Sequence, residues 1–134
     1  LFVAGLFYQS QMEAHGVACL PLGPGEADRA VEICAAHNVN VIAGNPTFVL
    51  RLLEAGVTPP KALFAGGEAF TGNPKLYNAV ADAMPGAMLV DSFSLSEFLP
   101  VGRTFPGGQG VHVFDELIPK PCNRLPMASG ASWS

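Results

Sequence analysis

Hydrophobic and polar positions follow two rhythms along the chain, and the changes of rhythm mark out its elements. Residues 1–15 are apolar and then amphipathic, a helical stretch that ends at Gly16. Val17 to Leu22 is a short apolar run stopped by Gly23-Pro24-Gly25, which predicts a buried strand and a turn. Ala27, Ala30, Val31 and Cys34 then recur at helical spacing, with Glu26, Asp28, Arg29 and Glu32 on the other positions, and Asn38 to Asn40 closes that helix. Val41-Ile42-Ala43 reads as the next strand. Asn45-Pro46 is an N-cap followed by proline at the first helical position, and it predicts a helix through Phe48 to Leu53.

Gly56 and Pro59-Pro60 break the chain before a third strand, Ala62 to Ala65, which ends in Gly66-Gly67-Glu68. Asn73-Pro74 repeats the capping device and opens a helix to about Met84. Pro85-Gly86 turns into a fourth strand, Ala87 to Val90, followed by a loop from Asp91 to Glu97. Glycine and proline then dominate up to Gly110, and Val111 to Phe114 is the last predicted strand. Strands that are short, continuous apolar runs alternating with helices predict an α/β fold, with a mostly parallel sheet covered on its faces by helices. Ligands bind such sheets at the carboxyl ends of the strands, where both unusual loops fall.

The chain has 134 residues, enough for one domain with a real core. Hydrophobic residues make up 49% and charged residues only 13%, so some of the surface is expected to lie against more protein. The seven basic residues are scattered singly in a chain of net charge −4, which excludes a footprint for nucleic acid or an anionic membrane. Cys19, Cys34 and Cys122 have no metal-ligand spacing and fit a reducing cytoplasm. Leu1 to Tyr8 is too short to span a bilayer and lacks the basic flank of a signal peptide. A start at Leu rather than Met suggests an internal fragment.

Asp91-Ser92-Phe93-Ser94-Leu95-Ser96-Glu97 gathers two carboxylates, three hydroxyls and an aromatic ring directly after a strand. A ring can stack on a base, a hydroxyl can donate to a phosphate oxygen, and a carboxylate can hold Mg²⁺. A turn in which Ser and Asp satisfy their own backbone has the same composition, so the loop alone does not decide. The two glycines before Glu68 let a flat ligand approach the backbone, or simply make a tight turn. One helix and one strand separate the two loops, which makes them neighbours at one sheet edge and favours a nucleotide site. His112, Asp115 and Glu116 receive no assigned role, nor do His15 and His37. No Gly-x-x-x-x-Gly-Lys-Ser/Thr loop or Gly-x-Ser-x-Gly elbow occurs, which removes classical P-loop and serine hydrolase readings.

Gly66-Gly67-Glu68 after one strand, Phe93-Ser94-Leu95-Ser96-Glu97 after the next, and Gly110-Val111-His112-Val113-Phe114-Asp115-Glu116 together resemble the adenylate-forming ligases, specifically the phenylacetate–coenzyme A ligase branch. The Pro21 to Gly25 turn and Asn45-Pro46-Thr47 are similar to that branch as well. Residues 1–119 would then be a partial AMP-binding domain, part of the large N-terminal domain of such a ligase. The tail 120–134 departs from the family, which a shifted reading frame explains; sequencing the gene through the tail checks this, and unbroken native coding would sink it.

The resemblance implies an AMP-forming acid–thiol ligase. A carboxylic acid and ATP give an acyl-adenylate and pyrophosphate, and the thiol of coenzyme A displaces AMP. Gly66 and Gly67 would wall the adenine pocket with Glu68 beside them, and Asp91, Ser92 and Ser94 would line the nucleotide around Phe93, which stacks on adenine. Ser96 would bind the α-phosphate, Glu97 would help hold Mg²⁺, and Phe7 and Tyr8 would contact the acyl substrate. Other implied partners are the rest of the parent chain and a second copy in a homodimer. The fragment alone is expected to be inactive. Sister activities on the same scaffold, an acyl-protein synthetase or a coenzyme F390 synthetase-like adenylyltransferase, remain open, as does a non-catalytic α/β domain that binds a nucleotide or a partner. Ser94 stands where the family has Gly, so the backbone there must avoid positive φ or bear strain.

Overall fold

Two asparagine–proline pairs start two of the four helices in the computed structural model, which describes residues 3–23, 25–95, 98–105 and 110–114. In chain order the elements are α1 (Val3–Ala14), α2 (Ala27–His37), β1 (Val41–Gly44), α3 (Pro46–Glu54), β2 (Ala62–Ala65), α4 (Pro74–Ala83), β3 (Met88–Leu95), β4 (Phe98–Arg103) and β5 (His112–Val113). Asn45 Oδ1 accepts from Phe48 N at 3.1 Å and Asn73 Oδ1 from Leu76 N at 3.3 Å, each filling an orphan donor of a first helical turn. Asn38 ends α2 in the left-handed conformation, φ 51°, with its N–H returned to the Cys34 carbonyl.

The five strands form one mixed sheet in the order β1-β2-β3-β4-β5. β1, β2 and β3 run parallel, with Val41, Ala62 and Met88 in one row and Ala43, Phe64 and Val90 in another. β3–β4 and β4–β5 are antiparallel. The α/β architecture and the parallel β1–β3 sheet follow the sequence pattern. Two corrections concern strands. Val17 to Leu22 is not a strand: it has no ladder partner among the described residues, and Val17 and Leu20 are exposed. Asp91 to Leu95, expected as a loop, continues β3, because the unpredicted strand β4 pairs with it.

Both parallel crossovers step in the same direction across the sheet. Right-handed connections therefore put α3 and α4 on the same face. There Val49 of α3 and Val80 of α4 pack on Leu63 and Ala65 of β2, with Phe70 and Met84, all fully or almost fully buried. A second cluster, Ala30, Leu52 and Val57, joins α2 to the flank of α3, and Cys34 packs against it, where burial pushes its thiol pKa up. Neither cluster draws on α1. On the side away from α3 and α4, Val41, Ala43 and Met88 are exposed, while Ala62 and Val90 in the same rows are buried. Among the described residues no helix is long and apolar enough to cross a membrane.

Candidate functional site at the carboxyl ends of β2 and β3

Beyond Ala65 the backbone keeps the parallel ladder for one more step, Gly66 N donating to the Gly44 carbonyl at 3.1 Å, and then turns at Gly67, φ 85°. That conformation is open to glycine and strained for a side chain. Gly66 faces β3; a Cβ there would lie 3.5 Å from the Ser92 carbonyl oxygen, an ordinary contact. Glu68 then reaches back across the loops. Its two carboxylate oxygens accept Thr47 N at 2.7 Å and Thr47 Oγ1 at 2.9 Å. The first turn of α3 thereby receives a negative charge at its positive end, and the two-glycine loop is tied to that helix.

Asp91 does the same for the next loop. It is 7% exposed, and its Oδ2 accepts Thr71 N at 2.9 Å and Thr71 Oγ1 at 2.7 Å, just before α4. Its own N–H donates to Thr104 Oγ1 at 2.9 Å while its carbonyl accepts Thr104 N at 2.8 Å, so one residue clamps β3 to both α4 and β4. Asp91 Oδ2 is thus engaged in holding the scaffold. Ser92 and Ser94 are half-buried, and Phe93 is 45% exposed. Ser94 has no positive φ, Asn38 being the one such non-glycine among the described residues; the strand resolves its departure from glycine without strain.

Gly66, Gly67 and Glu68 are thus brought beside Ser92 on adjacent parallel strands, with Phe93 one position further along β3. Phe7 and Tyr8 are not brought to this cluster by the described packing. They meet each other edge to face at 5.8 Å on α1, which packs into neither core and has no extensive contact with β2 or β3. Ser96 and Glu97, with Asp115, Glu116 and the tail from 120, lie outside the described residues. No group of three or more His, Cys, Asp and Glu suited to a metal occurs among those described. A cavity of about 380 Å³, lined by Tyr77, Met84 and Met88 among others, lies at the opposite, amino end of β3 and brings no convergent polar groups to the strand ends. Thr47, Thr71 and Thr104 are the partners that sequence reasoning missed; each meets its carboxylate or amide across 13 to 21 residues. No protein-family model matches the chain, and no curated protein matches it.

Proposed function

We propose that this chain forms the adenine-binding wall of an AMP-forming acid–coenzyme A ligase of the phenylacetate–coenzyme A ligase kind. One observation carries the reading: at the carboxyl ends of parallel strands, a backbone without side chains, Gly66-Gly67, adjoins a half-exposed aromatic ring, Phe93, across the β2–β3 pair. The flat surface of Gly66 and Gly67 and the ring of Phe93 fit a planar base, which would lie on one and stack on the other. Glu68 serves as a positioning residue: through Thr47 it holds the glycine loop rigid against α3.

Asp91 fixes the strand from which Phe93 projects. A magnesium ion would supply charge neutralisation at the phosphates. The family resemblance gives Glu97 as the residue that would hold it. Ser96 would donate to the α-phosphate. A carboxylic acid, ATP and coenzyme A are the small-molecule partners, and the apolar side chains on the face away from α3 and α4 favour further protein there.

Titration calorimetry with AMP tests the base site directly. Saturable binding that weakens about tenfold in Phe93→Ala, with an unchanged thermal midpoint, is expected, since stacking of a base on an aromatic side chain is worth about 1–3 kcal/mol. No AMP binding by the unmodified chain, or equal affinity in Phe93→Ala, would defeat the reading.

A further inference from the structure

The antiparallel half of the sheet carries a second group of polar side chains. Its register sets Ser92 opposite Arg103, and Arg103 opposite His112. Directly opposed residues project to the same side of a sheet, so the three form one row across β3, β4 and β5. Strand alternation puts Ser92 with Val90, on the side away from Leu89, which packs toward α3 and α4. Phe105 follows Arg103 by two positions. Its ring centroid lies 5.4 Å from the Arg103 guanidinium carbon and 5.3 Å from the His112 ring.

The backbone holds this row in place. Between Arg103 and Phe105, Thr104 is buried and hydrogen-bonded twice to the Asp91 backbone, its hydroxyl accepting the Asp91 N–H and its own N–H donating to the Asp91 carbonyl. On the other side, Gly102 lets β5 approach; a Cβ there would run into the His112 carbonyl oxygen. The side chains therefore start from fixed strand positions, which lowers the cost of ordering them around a ligand.

Arg103 lies over the Phe105 ring, and its guanidinium carries five N–H donors in one plane. No carboxylate pairs with Arg103 among the described residues, where the ion pair is Arg29–Glu26. His112 is exposed and adds a ring donor, and Ser92 adds a hydroxyl. In a chain of net charge −4, these donors share one row on one face of the sheet, with a positive charge at its centre.

We propose that Arg103, His112 and Ser92 form an oxyanion-binding site on the sheet face opposite α3 and α4, taking a phosphate or carboxylate group, with Phe105 holding the guanidinium. Apart from Ser92, which the family resemblance would set along the nucleotide, the site shares no residue with the nucleotide reading. Its test is a titration of the ¹⁵N-labelled chain with inorganic phosphate at constant ionic strength, followed by NMR. Saturable shifts at the Arg103 and His112 amides and at Arg103 Nε–H are expected. Arg103→Gln weakens binding about tenfold, as loss of a charge-assisted hydrogen bond does, and Arg103→Lys recovers only part of it, lacking the planar fork.

Parallel titrations with benzoate and with AMP tell the sources apart: the tighter of the carboxylate and the phosphate names the group. Phe93→Ala leaves the phosphate affinity unchanged, so this site and the base site can fail separately. Absence of saturable shifts at Arg103 and His112, or an Arg103→Gln chain that binds phosphate as well as the unmodified one, overturns the proposal. Should Arg103→Gln not fold, His112→Gln decides in the same way: weaker phosphate binding supports the site and equal binding overturns it.

Discussion

Glu68 and Asp91 each accept two hydrogen bonds from one threonine, through its backbone N–H and its hydroxyl. The two pairs differ in burial. Asp91 is nearly enclosed, so removing its carboxylate leaves the Thr71 donors without a partner in a place water does not reach freely. Asp91→Ala is expected to lower stability by about 2–3 kcal/mol in urea denaturation, with Asp91→Asn less costly. An unchanged midpoint would mean that the Thr71 clamp adds nothing. In the sequence these acids were indistinguishable from ligand contacts. A carboxylate after a strand looks the same whether it faces solvent or a threonine 20 residues away, and only the approach of the two loops decides.

Among the elements, the helix starts were the most legible. Asn45-Pro46 and Asn73-Pro74 act within one turn, so no distant residue can overrule them. Strand β4 was not legible, because Phe98–Arg103 contains Pro100 and Gly102, residues that argue against a strand interior. Pairing with β3 and β5 overrides that. Gly102→Ala is expected to break the β4–β5 pairing, since the new methyl would collide with backbone at His112 and lie 2.9 Å from Val111 Cγ1. Amide exchange at Val113 and Phe114 would then accelerate, and unaltered protection would refute the steric account.

At the start of α2, the Gly23 N–H and then the Arg29 guanidinium hold the Glu26 carboxyl below its ordinary range. A depressed pKa contributes stability that is present above the unfolded value and lost as pH falls through the folded one. Glu26→Gln should therefore flatten the stability profile as pH falls below the ordinary glutamate range, while leaving the neutral-pH slope alone. Parallel profiles for the two chains over that acid range would remove the claim.

The whole molecule is asymmetric about its sheet. Consecutive parallel crossovers stack α3 and α4 on one side, and large apolar side chains, Val41 at 40% and Met88 at 44% exposure, stand on the other. Exposed apolar surface of this kind drives association. Met88→Lys is expected to reduce self-association in sedimentation velocity without lowering the thermal midpoint. A chain that stays monomeric at high concentration without the substitution would show that this face is not adhesive.

Local information in the sequence determined the helices, their caps, the three parallel strands and the α/β class, since each depends on spacing and turn residues within a few positions. That the Gly66-Gly67 loop and the segment holding Phe93 follow neighbouring strands was also legible, from the order of elements alone. Tertiary structure alone decided the extension of β3, the existence of β4, the engagement of Asp91 and Glu68 by distant threonines, and the row of Ser92, Arg103 and His112. Each of these rests on hydrogen bonds or cross-strand register between segments distant in the chain. Such pairings depend on which strands meet, and no short window of residues contains that information.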